Sequence, residues 1–175
     1  MENANELTKI ANEYLAAFDN RNKRFKAWTE GGIGDFVKSV LTEIKDDLQK
    51  NVAYFTSNIY VGEETAQMET DNRTLYNQSM RTLILRSGAM PVSTFKASKG
   101  SSFSSIIEEG FQIRFNPMLN GKIHVFVYGH HYQGKEPEYK NLEVVDDPQK
   151  LTKEKIQELV SLGLTYAKTT SFLFL

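Results

Sequence analysis

The amino-acid sequence predicts an α+β fold, in which an N-terminal helical hairpin and a C-terminal helix pack on a mostly antiparallel sheet of about five or six strands. Apolar residues recur at helical spacing near both ends of the chain, and the middle is rich in β-branched and aromatic residues. An Asn-Gly pair between two apolar runs adds a hairpin signal. The predicted order is a helical hairpin at 1–50, a sheet at 51–148, and a C-terminal helix with an apolar tail at 149–175, all within one domain.

Two helices are predicted at the N-terminus. The first carries an apolar stripe that resumes at Phe25 and Trp28, and the pattern leaves open whether Asp19-Asn20 interrupts it. Gly31-Gly32 should end this helix, because glycine adopts a left-handed cap without steric strain. Asp35 is the predicted N-cap of the second helix, since its carboxylate can accept the exposed amides of the first turn. The stripe of the first helix comprises Leu7, Ile10, Ala11, Tyr14, Leu15 and Phe18.

The central part of the chain predicts strands separated by polar segments. Pro91 marks the third strand as an edge strand, because proline cannot donate to a ladder. Near the C-terminus, Thr152 is the predicted cap of the last helix. The predicted strands are Val52–Val61, Met80–Arg86, Pro91–Phe95 and Leu142–Val145. The segments between them are Glu63–Asn77 as a loop or short helix, Ala97–Ser105 as a mobile loop, and Ile106–Glu109 as one helical turn.

The strongest local signal is Asn120-Gly121, which predicts a two-residue hairpin turn between runs 111–119 and 122–132. Such a turn sets Phe115 opposite Phe126. One face of the hairpin is then aromatic, with histidines at its ends, and comprises Phe111, Ile113, Phe115, His124, Phe126, Tyr128 and His130. The opposite face comprises Gln112, Arg114, Asn116, Ile123, Val125 and Val127.

Composition excludes several classes of protein. The chain has no cysteine, so it forms no disulfide, thiol nucleophile or cysteine–zinc site. Its net charge of −1 lacks the basic excess typical of nucleic-acid-binding proteins. No segment approaches the ~20 apolar residues that span a membrane, and the first residues lack the pattern of a signal peptide. We therefore expect a soluble cytoplasmic protein with no membrane or nucleic-acid partner.

The three histidines are candidates both for metal ligation and for contact with a small ligand. His124 and His130 lie six residues apart on one predicted strand, roughly 20 Å, which is too far for both to bind one ion. Neighbouring His131 points to the opposite face from His130. We therefore predict no metal and no cofactor. The candidate ligand-binding residues are His124, Tyr128 and His130, since imidazole and phenol groups beside aromatic rings suit the wall of a pocket.

The remaining charged and glycine-rich motifs have simpler interpretations. The basic residues between Arg21 and Lys26 fit the solvated face of a helix, with Phe25 and Trp28 buried. Gly31–Gly34 matches no phosphate-binding pattern. The carboxylate pairs at 63–64, 108–109 and 146–147 fit solvated turns, and no GxSxG elbow is present.

Two functions remain open. The first is a non-enzymatic binding or assembly module, favoured because both faces of the predicted hairpin and the tail Phe172–Leu175 carry apolar residues that need cover. It implies a homodimer, or else another protein partner. The alternative is a small-molecule-binding domain, or a small enzyme, with a pocket on the aromatic face. The sequence leaves catalytic residues undetermined and enzymatic activity undecided.

Overall fold

The computed structural model describes residues 2–67, 79–96 and 103–172. It confirms the predicted α+β fold, with two helices before the sheet and one after it. The helices are α1 (Glu2–Thr29), α2 (Ile33–Asn51) and α3 (Lys153–Thr170). As predicted, the side chain of Thr152 caps α3 by accepting a hydrogen bond from the backbone N–H of Lys155, at 3.2 Å.

The strands form two antiparallel sheets. The main sheet has the order β1-β2-β5-β6-β8, and the second sheet has the order β3-β4-β7. The predicted edge position of Pro91 is confirmed, because β3 pairs only with β4 among the described strands. The strands are β1 (Ile59–Gln67), β2 (Ser79–Ser87), β3 (Met90–Lys96), β4 (Phe103–Glu109), β5 (Gln112–Pro117), β6 (Ile123–Tyr128), β7 (His131–Tyr132) and β8 (Tyr139–Val145).

The core lies between α2, α3 and one face of the main sheet, which we call the inner face. Alternate residues of β2, β5 and β6 point into it, as the period-two geometry of strands requires. Gly163 allows α3 to pack directly on β5, because a Cβ there would lie 2.6 Å from Cδ1 of Ile113. Its fully buried strand residues include Leu83, Leu85, Ile113, Phe115, Ile123, Val125 and Val127.

The boundary between α1 and α2 corrects one prediction. Helix α1 runs without interruption through Asp19-Asn20 and ends before Gly31-Gly32, as predicted. Asp35, however, is not the N-cap of α2. The cap is Gly32, with φ 77°, and Asp35 lies in the first turn, where its carboxylate accepts a hydrogen bond from Arg81 at 2.6 Å.

Several segment predictions were wrong, among them the mobile loop Ala97–Ser105, of which residues 103–105 belong to strand β4 and 97–102 lie outside the described residues. Residues 53–55 form a 3-10 helix, and β1 begins only at Ile59. It then continues through the polar residues of 63–67, which sequence analysis assigned to a loop or short helix. Ile106–Glu109 belongs to strand β4 rather than to a helical turn. In β1 and β4, pairing with a neighbouring strand overrides local composition.

The hairpin between β5 and β6 has a longer turn than predicted. Met118 N–H donates to the carbonyl of Lys122, and Gly121 N–H donates to the carbonyl of Met118, both at 2.8 Å. Three residues therefore connect the strands, with Gly121 at φ 78°. Phe115 consequently pairs with Val125 instead of Phe126.

This one-residue difference moves every side chain of β6 to the other face of the sheet. Val125 and its alternate neighbours are buried against the helices, beside Phe115 of β5. His124, Phe126 and Tyr128 lie on the opposite face, which we call the outer face. The predicted aromatic face, in which Phe115 and Phe126 lie side by side, is therefore wrong.

Candidate functional site

Two of the three candidate ligand-binding residues lie together on the outer face. The His124 ring lies 4.8 Å from the Phe126 ring, and the Phe126 ring lies 5.3 Å from that of Tyr128. Tyr139 of β8 contacts both Phe126 and Tyr128. His124 Nε2 is 2.7 Å from Oδ1 of Asn141, which is a hydrogen-bond distance. The result is a partly exposed aromatic row along one side of the sheet.

His130 lies apart from this row, because β6 ends at Tyr128 and the chain then turns toward α3. Its Nδ1 is 3.0 Å from the carbonyl oxygen of Ala167, and a carbonyl only accepts, so Nδ1 donates. Its Nε2 is buried and has no hydrogen-bond partner within the described ranges. The predicted single strand from Lys122 to Tyr132 is wrong, since His131 pairs with Glu109 in the second sheet.

Ion pairs occupy half of the carboxylates that sequence analysis noted, namely Glu63, Glu64 and Asp146. Glu63 accepts hydrogen bonds from Lys38 and Arg81, which hold the pKa of its carboxyl below the ordinary value. Asp146 pairs with Lys122, and this pair likewise lowers the pKa of Asp146. Glu108 is buried, and its carboxylate accepts from Ser171 Oγ and from the backbone N–H of Phe172. These carboxylates hold elements together.

The largest exposed apolar surface among the described helices lies on α1. Every described side chain between residues 5 and 20 is exposed, including the members of the predicted apolar stripe. Tyr14 is 77% exposed, and the neighbouring stripe residues are between 43% and 67% exposed: Leu7, Ile10, Leu15 and Phe18. The amphipathic pattern was visible in the sequence, but nothing in it indicated that this part of the helix projects beyond the core.

The last turns of the same helix are anchored firmly. Phe25 and Trp28 are buried, as predicted, and the indole N–H of Trp28 donates to the carbonyl of Arg81 at 2.9 Å. Arg21 donates to the carbonyl of Leu119 in the β5–β6 turn at 2.6 Å. One continuous stripe therefore serves as core at its C-terminal end and as surface at its N-terminal end.

Two kinds of feature are absent from the described part of the chain. Among the described residues, no three His, Cys, Asp or Glu side chains come together in a group suited to hold a metal ion. Within those same ranges, no helix is both long enough and apolar enough to cross a bilayer.

The apolar tail is only partly described. Phe172 is 47% exposed, and its ring contacts that of Tyr132 at 6.5 Å. Residues 173–175 lie outside the described part of the chain.

Comparisons of the chain with protein-family models, curated proteins and solved structures gave no match.

Proposed function

We propose that this protein is a non-enzymatic assembly module that forms a homodimer through the exposed stripe of α1. The observation that supports this proposal is the projecting part of the helix, residues 5–20, about 24 Å long at the usual rise. A single helix of this length is marginal in water, and tertiary packing normally supplies its stability. A partner that covers the stripe would supply that packing.

The pattern of the stripe favours a second copy of the same helix. In an antiparallel pair centred between residues 12 and 13, Leu7 of one helix lies opposite Phe18 of the other. The same symmetry sets Ile10 opposite Leu15, so the large apolar members of the stripe meet one another across the interface. A two-fold axis requires such self-complementarity, which residues spaced at random would not provide. The two cores then lie at opposite ends of the helix pair.

Charge also favours the antiparallel arrangement. The N-terminal part of α1 is acidic and its last turns are basic, so antiparallel pairing brings the acidic end of one helix toward the basic segment of the other. Parallel pairing would align like charges. The acidic residues of the N-terminal part are Glu6 and Glu13, against Lys9 alone, and the basic residues are Arg21, Lys23, Arg24 and Lys26.

At the upper end of its range, burial of the stripe leaves about the free energy of a micromolar dimer after the cost of association. The exposed fractions of the five large stripe residues together equal about three complete side chains per helix. Two helices would thus gain about 9–18 kcal/mol at about 1.5–3 kcal/mol per side chain. Association costs about 4–15 kcal/mol, and a micromolar Kd corresponds to about 8 kcal/mol.

Two matched double variants test the proposal in sedimentation experiments at micromolar concentration. The parent protein should have twice the 20.0 kDa chain mass. Tyr14→Glu with Leu15→Glu should give the mass of one chain with the core still folded, and any loss of helix content should be confined to residues 5–20. Asn12→Glu with Ala16→Glu adds the same charge on the opposite face and should remain dimeric. A monomeric parent, or a Tyr14/Leu15 variant that stays dimeric, overturns the proposal.

A second candidate function is small-molecule binding on the outer face, and the aromatic row favours it. His124 and Tyr128 are the residues proposed to contact such a ligand there, on either side of Phe126. His130 would belong to a different surface, beside α3. Screening of small aromatic compounds by NMR, with His124→Ala and Tyr128→Ala as controls, tests this candidate. Binding that survives both substitutions counts against it.

The compartment is also a proposal. A cytoplasmic location suits a chain without cysteine, since disulfides are typical of secreted domains of small size. Fractionation of cells that express the tagged protein tests this location, and recovery outside the cytoplasm would refute it.

A further inference from the structure

A cleft of about 470 Å³ opens where the two sheets meet, far from α1 but next to the aromatic row, because Gln112 in its wall pairs with Tyr128. One wall is the outer face of the main sheet, where Tyr60 of β1, Arg86 of β2 and Gln112 of β5 lie side by side in one cross-strand row. The other wall belongs to the second sheet, where Glu109 of β4 pairs with His131 of β7. A cleft of this size falls within the usual range for small-molecule sites.

Glycines shape the bottom of the cleft. A Cβ at Gly110 would lie 2.1 Å from the carbonyl oxygen of Ser87, so the backbone after β4 passes directly against the end of β2. A Cβ at Gly88 would likewise lie 2.3 Å from Oδ1 of Asn58. The approach at Gly110 joins the end of β4 in the second sheet to the end of β2 in the main sheet, and the approach at Gly88 packs the end of β2 on Asn58.

The walls carry opposite charges that do not neutralise each other. Arg86 makes no ion pair with any described residue, and the same holds for Glu109, although both line the cleft. Other charged residues on this face form ion pairs with each other, as Arg114 does with Glu64. A cation on one wall and an anion on the other therefore remain available to a ligand between them.

Each wall also carries a neutral polar group beside its charged residue. The side-chain oxygen of Gln112 accepts from Arg114 at 3.0 Å, which leaves its amide hydrogens as donors next to Arg86. On the opposite wall, Nδ1 of His131 is buried and lacks a hydrogen-bond partner among the described residues. Buried polar atoms normally have partners, so Nδ1 of His131 is a polar group beside the cleft that the described residues leave unsatisfied.

We propose that this cleft binds a small zwitterion, a free amino acid or a dipeptide. Its carboxylate lies against Arg86 and the amide of Gln112, where a guanidinium offers paired donors. Its ammonium group lies against Glu109, close to His131. A simple anion would meet the Glu109 carboxylate, and a simple cation would meet the Arg86 guanidinium, so a ligand that carries both charges matches the cleft better than either.

Sequence analysis missed this site, because its residues come from strands of two different sheets. The available signal was local: a glycine follows each charged strand end, Gly88 two residues after Arg86 and Gly110 directly after Glu109. Only the pairing of the strands shows that these two ends face each other.

The test screens the free amino acids and glycylglycine at millimolar concentration against the full-length protein by ligand-observed NMR. Bound ligands are compared with analogues that lack one charge, for example leucine with 4-methylpentanoate and with 3-methylbutylamine. At least one zwitterion should bind, and each single-charge analogue should bind about tenfold more weakly or worse, because a charge-assisted hydrogen bond is lost.

Four variants locate the site. Arg86→Gln and Glu109→Gln should each weaken binding about tenfold or more. Lys153→Gln and Glu43→Gln change the same charges in a distant pair and should leave binding unchanged. Absence of binding by every zwitterion, equal binding of a single-charge analogue, or binding that survives Arg86→Gln and Glu109→Gln would each overturn the proposal.

Discussion

Substitution of Gly121 by alanine should destabilise the fold, because two separate costs meet at this residue. Gly121 has φ 78°, in the left-handed region that costs other residues about 1–2 kcal/mol. A Cβ at this position would also lie 2.8 Å from the carbonyl oxygen of Arg21 and 2.8 Å from Cβ of Arg24. The turn therefore packs directly on α1, and alanine has no room there.

The expected magnitude follows from these terms. Overpacking against a helix costs about 1–3 kcal/mol. Alanine restricts the unfolded chain more than glycine does, and this effect stabilises the folded state by about 0.4–1 kcal/mol. Gly121→Ala should therefore lower the free energy of unfolding by about 2–4 kcal/mol, which for a chain of this length lowers the Tm by roughly 5–15 °C.

Substitutions at two further glycines distinguish the cost of a positive φ from the cost of the steric contact with α1. Gly134 has φ 85°, and a Cβ there would have no atom within 4 Å, so Gly134→Ala should show only the smaller backbone cost. Gly62, in strand β1, has neither a positive φ nor a close neighbour. Gly62→Ala should stabilise the protein by about 0.5–1 kcal/mol.

Thermal and urea unfolding, followed by far-UV circular dichroism and by fluorescence of Trp28, measures all three variants. Trp28 is the single tryptophan and is buried, so its emission should shift to longer wavelength on unfolding. All variants are compared at one protein concentration, since dimerisation would make the Tm concentration-dependent. If Gly121→Ala costs no more than Gly134→Ala, the proposed contact between the turn and α1 is wrong.

Three further predictions concern the core, an ion pair and metal content. Trp28→Phe should lower the free energy of unfolding by about 1–3 kcal/mol, measured by circular dichroism, because the carbonyl of Arg81 loses its buried donor; an unchanged midpoint would contradict this. Hydrogen bonds from Lys38 and Arg81 lower the pKa of Glu63 in the folded protein. The contribution of Glu63 to the free energy of unfolding is therefore complete above its unfolded pKa, and it disappears as the pH falls through the lower folded pKa. Glu63→Gln should remove this dependence of stability on pH in the acid range. The loss should stay below about 1 kcal/mol, because Glu63 is 41% exposed. If the urea midpoints of the variant and the parent change with pH in the same way, this prediction is refuted. Elemental analysis should find no stoichiometric zinc, iron or copper, and about one metal per chain that disappears in His124→Ala would show this expectation to be mistaken.

Turn chemistry could be read from the sequence only in part. Asn120-Gly121 correctly marked a hairpin, because few other residues adopt a positive φ in a tight turn. The number of residues in the loop was not encoded as clearly, and this number sets the register. A three-residue loop instead of two exchanged the inner and outer faces of β6, which changed the surroundings of His124 and Tyr128.

The sequence by itself determined the class of fold, because helical and β-type patterns separate cleanly along the chain and Gly31-Gly32 and Thr152 mark helix ends through local backbone chemistry. Tertiary structure decided which parts of those patterns are buried. The stripe of α1 has one period from Leu7 to Trp28, yet the core covers only its last turns. Periodicity reports which side of a helix is apolar, whereas burial depends on how far the neighbouring elements extend, and only the folded chain decides that.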